Sequence, residues 1–232
     1  MNLSVRFLLT DIEGTTTSIA FVHDTLFPFA RAALPEFLRE HAHDPEVRAE
    51  VVATAMLAEC SPDDHPTILA TLLSWMDADQ KVTPLKALQG MIWRRGYADG
   101  QLQSHVYPDV VPALKAWHAA GIGLGVYSSG SVAAQQQLFG HTPQGDLREL
   151  FSQWFDTRVG AKREAGSYAR IVQALGVIPE HILFLSDVAE ELDAAQASGL
   201  QVVQLIRPED GTQAAQQHAS VHSFAELDLA LA

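Results

Sequence analysis

From Val106 onward the chain repeats one pattern: a helical stretch, then a short apolar run, then a polar turn. Pro108 to Ala120 has helical spacing, and Gly121 to Tyr127 is a strand closing in Ser128-Ser129-Gly130-Ser131. Val132 to Phe139 is a helix with Ser131 at its cap. Trp154 to Asp156 is a short strand, Ser167 to Leu175 a helix stopped at Gly176, and Ile182 to Leu185 a strand ending in Ser186-Asp187. A helix from Glu190 to Ala197, stopped at Gly199, and a strand from Gln201 to Leu205 follow. Helices alternating with short apolar strands demand a parallel sheet covered on both faces.

A further strand belongs to that sheet. Val5 to Thr10 is an apolar run of strand length that ends in Asp11-Ile12-Glu13-Gly14-Thr15-Thr16. On an extended chain Asp11 and Glu13 point the same way and flank one site at the strand's carboxyl end. That is where open α/β sheets bind ligands. Alone, the stretch is equally a strand followed by a solvated polar turn. The expected fold class is α/β, a three-layer Rossmann-like parallel sheet core.

Between the first strand and the rest, the pattern is helical only. Phe21, Leu26, Phe29, Ala33 and Phe37 recur at helical spacing; Asp44-Pro45 starts a second helix, with Asp44 as its N-cap and Pro45 at the first position. Pro66 to Asp79 and Pro84 to Gly96 give two more. The expected organisation is a core domain of residues 1–18 and 104–232, interrupted by an inserted all-helical cap domain at 19–103. Such an insert, joined to the core by two connections, is expected to move as a lid that shuts out water.

Composition narrows the function. The formal charge of −13 argues against a nucleic-acid partner, whose binding surface should be basic. No run is long enough to cross a bilayer, so a cytoplasmic protein without a membrane partner is expected, as a monomer. Cys60, the single cysteine, excludes an internal disulfide and is expected to be buried in a helix. Gly121-x-Gly123-x-Gly125 resembles a dinucleotide loop, but it precedes its strand, so the phosphate-cradling turn is missing. The aromatics Phe21, Phe27 and Trp93 are expected to be core rather than ligand contacts.

Three further polar groups sit where this architecture places a ligand. Ser128 and Ser129 follow a strand and open a helix, offering hydroxyls and N–H groups to an anion, or a helix cap, or both. Lys162 lies in a loop ahead of a helix, where a solvated lysine is the commoner case. Asp187 ends a strand as Asp11 does, either to cap a helix or to bind. A hard divalent cation takes one or two carboxylates plus phosphate oxygens and water, and Asp11 with Asp187 fits that need.

These segments, in this order, resemble the four motifs of the haloacid dehalogenase superfamily of phosphatases, and the helical insert after the first motif is similar to its helical-cap type. Asp11-Ile-Glu-Gly-Thr-Thr, Tyr127-Ser-Ser-Gly-Ser, Gly160-x-Lys162 with Glu164-x-x-Ser167-Tyr168, and Phe184-Leu-Ser-Asp187 with Glu190-Glu191 resemble more closely still the enolase-phosphatase family of methionine salvage. Most superfamily phosphatases carry Asp two residues after the nucleophile; Glu13 here follows the enolase-phosphatase pattern.

The resemblance implies a catalytic set of Asp11, Glu13 and Lys162, with Asp11 as nucleophile and Glu13 as acid/base or enolisation base. It implies phosphate binding by Ser128, Ser129 and Lys162, and one Mg²⁺ per chain held by Asp11, Asp187 and the Glu13 backbone carbonyl. The implied substrate is a small phosphate ester, 2,3-diketo-5-methylthiopentyl-1-phosphate, enolised and then dephosphorylated to an acireductone. The competing readings are a Mg-dependent phosphatase for another sugar or nucleotide phosphate, a metal-independent dehalogenase, and a non-catalytic phosphate-binding module.

Overall fold

In the computed structural model, which describes residues 1–232, the run Phe7–Thr10 (β2) is a central strand of a six-stranded sheet. Its other strands are β3 (Gly123–Tyr127), β4 (Gln153–Phe155), β5 (Ile182–Ser186), β6 (Gln201–Leu205) and β7 (Ser220–Val221). They lie in the order β4-β3-β2-β5-β6-β7, and every pairing is parallel. Side-chain alternation divides the apolar residues between two faces. Leu8, Val126, Leu183 and Leu185 enter one core cluster, and Phe7, Leu9, Tyr127 and Phe184 the other.

Helices α6 (Val110–Ala119) and α7 (Val132–Gly140) supply Leu114, Trp117 and Phe139 to the first cluster. Helices α8 (Ala165–Leu175) and α9 (Ala189–Ala197) supply Tyr168, Ile171 and Leu192 to the second. The result is the three-layer α/β core. Register then does the functional work: Thr10 lies opposite Val126 on one side and Leu185 on the other. The turns after β2, β3 and β5 therefore leave the sheet at one level, at its carboxyl edge.

One part of the expected strand pattern changes. The first apolar run is broken at Arg6: Asn2–Val5 (β1) leaves the main sheet and pairs, in parallel, with Asp228–Leu231 (β8). Arg6 marks the switch, its N–H donating to His181 O at 2.8 Å and its Nε to Ala232 O at 3.1 Å. Gly123 and Gly125, two of the three glycines in the stretch that resembles a dinucleotide loop, serve packing: a Cβ at either would lie 2.5 or 2.8 Å from the Phe7 ring. The glycines make the slot that this ring fills.

The chain forms two compact units, Met1–Phe21 with Gln103–Ala232, and Val22–Leu102. The first includes α1 (Ile19–Phe21). The second begins with a π turn, Val22–Leu26, and contains α2 (Phe27–Glu40), α3 (Pro45–Leu57), α4 (His65–Asp77) and α5 (Thr83–Ala98). It has its own core of Leu34, Phe37, Val51, Ile68, Leu72, Leu88 and Ile92. The Asp44 side chain accepts from Glu46 N–H, capping α3 as expected. Cys60 is a correction: it lies in the turn after α3 and is half-buried. Phe27 and Trp93 are also only half-buried, their rings stacked 6.1 Å apart, so they edge the core instead of filling it. No helix is long and apolar enough to cross a membrane.

Candidate active site

Asp11 is the first residue past β2 and is 5% exposed. Its N–H still donates to Leu185 O at 2.9 Å, as though the strand continued. The chain then folds under itself, with the N–H groups of Thr15, Thr16 and Thr17 all donating to Ile12 O. Asp11 Oδ1 accepts from Ile12 N–H at 2.7 Å, and Thr16 Oγ1 donates to both Asp11 O and Ile12 O. Regular strand pairing ends at Asp11, and the extended backbone expected to run on to Glu13 gives way to this turn. Glu13 is half-buried in the turn, bridged to Thr17, because the backbone there is no longer extended.

Gly14 is the tightest point of this turn. Its φ is +71°, and a Cβ would lie 2.6 Å from Cγ of Asp187. The turn after β2 thus packs its backbone directly against the carboxyl group that ends β5. Gly14→Ala is expected to reduce turnover at least about 10²-fold, since displacing a reacting group by about 1 Å carries that scale of loss. It should also cost about 1–3 kcal/mol of stability through the left-handed backbone. Turnover and thermal melts of the variant check both.

Lys162 is buried, not a solvated loop lysine. Its Nζ lies 2.7 Å from Asp11 Oδ2 and 2.6 Å from Glu191 Oε2. The loop that carries it is tied at two points: Tyr127 OH donates to Gly160 O at 2.9 Å and Tyr168 OH to Lys162 O at 2.8 Å. Gly160 itself is at φ +126°, where a Cβ would strike Ser167. Burial opposes the ammonium charge, but the Asp11 and Glu191 carboxylates outweigh it and hold the lysine pKa above its ordinary value. Lys162 is a fixed cation.

Glu191 was not among the residues singled out as a candidate site. It lies in the first turn of α9, 8% exposed, and its Oε2 also accepts from Ser186 Oγ at 2.9 Å. Burial and then Asp11 raise its pKa, with Lys162 opposing them. Its signal in the sequence was the pair Glu190-Glu191 directly after the Asp187 strand end; Glu190 is exposed, Glu191 faces in.

Asp187 completes the group. Burial, then the charge of Asp11, pushes its carboxyl up to about 7. Its Oδ1 is buried without a hydrogen-bond partner. One lysine faces three carboxylates here, so the site carries excess negative charge and one unsatisfied oxygen. A hard cation answers both. Magnesium fits the donor chemistry of Asp11 and Asp187. No cluster of three or more His, Cys, Asp or Glu side chains forms a complete ligand set. A small cation here would draw its remaining oxygens from backbone, water and phosphate, as magnesium commonly does.

Ser128, buried at the end of β3, accepts from Gly130 N–H through its Oγ at 3.2 Å and donates its own N–H to Phe155 O. Gln135 braces this loop from below, donating to Gly130 O and Phe155 O at 2.8 Å each. Ser129 is exposed at the same strand end, and Ser131 caps α7 by accepting from Ala134 N–H. The structure thus joins Asp11 and Lys162 directly and sets Asp187 against the Asp11 turn. Ser128 and Ser129 occupy the neighbouring strand end and take no part in the Lys162 ion pairs.

Comparison with known proteins gives a consistent assignment. A family model described as haloacid dehalogenase-like hydrolase matches residues 5–199. The chain is 50% identical to the enolase-phosphatase E1 of Acidiphilium cryptum, over 98% of this chain and 96% of that one. It is 51% identical to the protein of the same name in Pseudomonas aeruginosa, over 97% and 99%. Among solved structures it is similar to the UTR4 protein of Saccharomyces cerevisiae, with 32% identity, a TM-score of 0.82, and 95% and 98% of the two chains covered.

Proposed function

Because the chain belongs to the enolase-phosphatase family of haloacid dehalogenase-like hydrolases, we propose that it converts 2,3-diketo-5-methylthiopentyl-1-phosphate to the acireductone 1,2-dihydroxy-3-keto-5-methylthiopentene. The observation that carries the chemistry is the buried Asp11–Lys162 pair at the carboxyl end of β2, beside an Asp187 oxygen that lacks a partner.

In this reading Asp11 is the nucleophile. The Ile12 N–H on Oδ1 and Lys162 on Oδ2 hold its carboxylate in one orientation. An Asp11 oxygen forms a bond to phosphorus as the bond from phosphorus to the substrate's alkoxy oxygen breaks, and Glu13 gives that oxygen its proton. Water, deprotonated by Glu13, then attacks phosphorus and returns Asp11 as a carboxylate with free phosphate. Lys162 and the Ser128 loop hold phosphoryl oxygens as charge shifts between them, with Ser129 beside them. Asp11, Asp187 and the Glu13 carbonyl would hold magnesium, which when bound supplies positive charge against the phosphoryl oxygens. The helical unit takes the part of the cap.

The decisive experiment is anaerobic turnover of the diketo phosphate, following phosphate release and enol absorbance together. Both signals support the proposal. Phosphate release only from sugar or nucleotide phosphates would reassign the substrate, and activity that survives chelation would remove the metal from the scheme. Glu13→Gln separates the two roles open to that residue. As acid/base of phosphoryl transfer, its loss should cost about 10²–10⁴-fold on alkyl phosphates and far less on an activated aryl phosphate. As enolisation base, it should matter for the diketo substrate alone. Equal losses on all three substrates would defeat both assignments.

A further inference from the structure

Arg207 lies two residues past the end of β6, is 3% exposed, and has no part in the chemistry above. Its guanidinium donates twice to a single carbonyl, Thr15 O, from Nη2 at 2.8 Å and Nε at 3.1 Å. Nη1 meets both oxygens of Asp109 at 3.0 and 3.1 Å and His222 O at 3.3 Å. The flat group lies 4.0 Å from the centre of the Tyr107 ring. A guanidinium with its edges occupied and a face stacked has one available orientation. A buried ion pair is a poor source of stability, whereas a rigid fork is a good means of fixing geometry.

What the fork holds is the turn that begins at Asp11. Thr15 accepts, at its Oγ1, the Asp187 N–H at 3.1 Å, so one residue links Arg207 to both carboxylate-bearing segments. Tyr107 N–H holds the next carbonyl, Thr16 O, at 3.0 Å. Three residues beyond Arg207, Asp210 accepts from Ser18 Oγ at 2.8 Å, from Ile19 N–H at 2.9 Å, and from Tyr107 OH. One short segment, 207–210, therefore grips both ends of the stretch from Thr15 to Ile19.

We propose that Arg207 is a positioning residue for the Asp11–Asp187 pair, setting the spacing of the two carboxylates by its fork on the Thr15 carbonyl. The inference rests on the phosphatase reading above.

The test uses the full chain, loaded with magnesium, on the best phosphate monoester found for it. Arg207→Met should lower kcat per folded molecule about 10²-fold with KM within about threefold, as expected when reacting groups are misplaced and substrate contacts are kept. Magnesium affinity, measured by calorimetry without substrate, should weaken about tenfold. Arg207→Lys, which keeps charge but not the fork, should recover part of both losses. Asp109→Asn removes the charge from the other side of Arg207 and weakens the hold on Phe224, whose N–H Asp109 accepts at 2.7 Å, while sparing the Thr15 bonds. It should lower the melting temperature yet leave kcat and magnesium affinity within about threefold.

Wild-type kcat and magnesium affinity in Arg207→Met would overturn the proposal. So would an Asp109→Asn loss as large as that of Arg207→Met, which would make Arg207 a general clamp of the fold. If Arg207→Met does not fold, Arg207→Lys decides: reduced kcat and magnesium affinity support the proposal, and wild-type values overturn it. A wild-type protein that cleaves no phosphate ester would defeat the phosphatase reading instead, and the calorimetric comparison would still judge Arg207.

Discussion

Asp11→Asn is expected to lower turnover by at least about 10⁴-fold while leaving the fold in place, since an amide cannot form the phosphoryl bond that splits the reaction into two steps. The structure explains why the protein should survive the change. An amide oxygen can still accept from Ile12 N–H, and Lys162 keeps Glu191 as a partner at 2.6 Å. Loss of one negative charge also relieves Asp187, whose carboxyl is raised by burial and then by Asp11. A melting temperature within a few degrees of wild type, with phosphate release near the uncatalysed rate, is the expected pair of results. Phosphate release within about tenfold of wild type in a carefully purified sample would eliminate the covalent mechanism.

The second prediction sets activity against stability. Asp187→Asn should weaken magnesium by orders of magnitude, because a hard-cation site with few carboxylates tolerates the loss of one poorly. The same change should stabilise the metal-free protein at alkaline pH. In the fold, burial and then the charge of Asp11 push the Asp187 carboxyl from its ordinary 3.8 up to about 7. A raised pKa contributes stability that is fully present below the unfolded value and is lost as pH rises through the folded one. At about 1.4 kcal/mol per pH unit, the gap between 3.8 and about 7 corresponds to about 4 kcal/mol. Asp187 is only partly buried, so hydration brings the usable part to about 2–4 kcal/mol.

Thermal melts in chelator between pH 5 and 8.5 are the measurement. Wild type should lose about 2–8 °C across that range relative to Asp187→Asn, which lacks the titrating group, because the fall that begins near pH 3.8 is already partly complete at pH 5. Adding magnesium at pH 8 should reverse the order, raising the wild type and leaving the variant unchanged. If the two proteins melt in parallel at all pH values, Asp187 does not carry the buried charge assigned to it.

The elements that the sequence showed clearly are those set by local pattern. Strands β3, β5 and β6 announce themselves as short apolar runs between helices, and α7 carries its start signal in Ser131 and α8 its stop signal in Gly176. Asp11, Ser128 and Asp187 were legible because each directly follows such a run, and parallel register places strand ends together. Less visible was whatever depends on partners distant in the chain. Arg6 gives no local notice that the strand before it will pair with Asp228–Leu231, more than two hundred residues away. Cys60 sits in a helical-looking stretch, yet α3 ends at Leu57 and leaves it in the turn.

The site divides in the same way. Its residue types, and their order along the chain, are properties of the sequence: a carboxylate after one strand, hydroxyls after the next, a lysine in a loop, a carboxylate after a third. What only the tertiary structure decided is which charges become neighbours. Lys162 could have been solvated; the loop ties from Tyr127 and Tyr168 bury it between Asp11 and Glu191. Glu190 and Glu191 are alike in composition, and the rotation of α9 sends one to solvent and the other to the lysine. Arg207 could have been a surface cation, and it became a buried fork on the Asp11 turn. Local sequence governs backbone conformation over a few residues, whereas the energy of a buried charge depends on every group within several ångströms. Those groups come from different elements and meet only when the sheet is assembled.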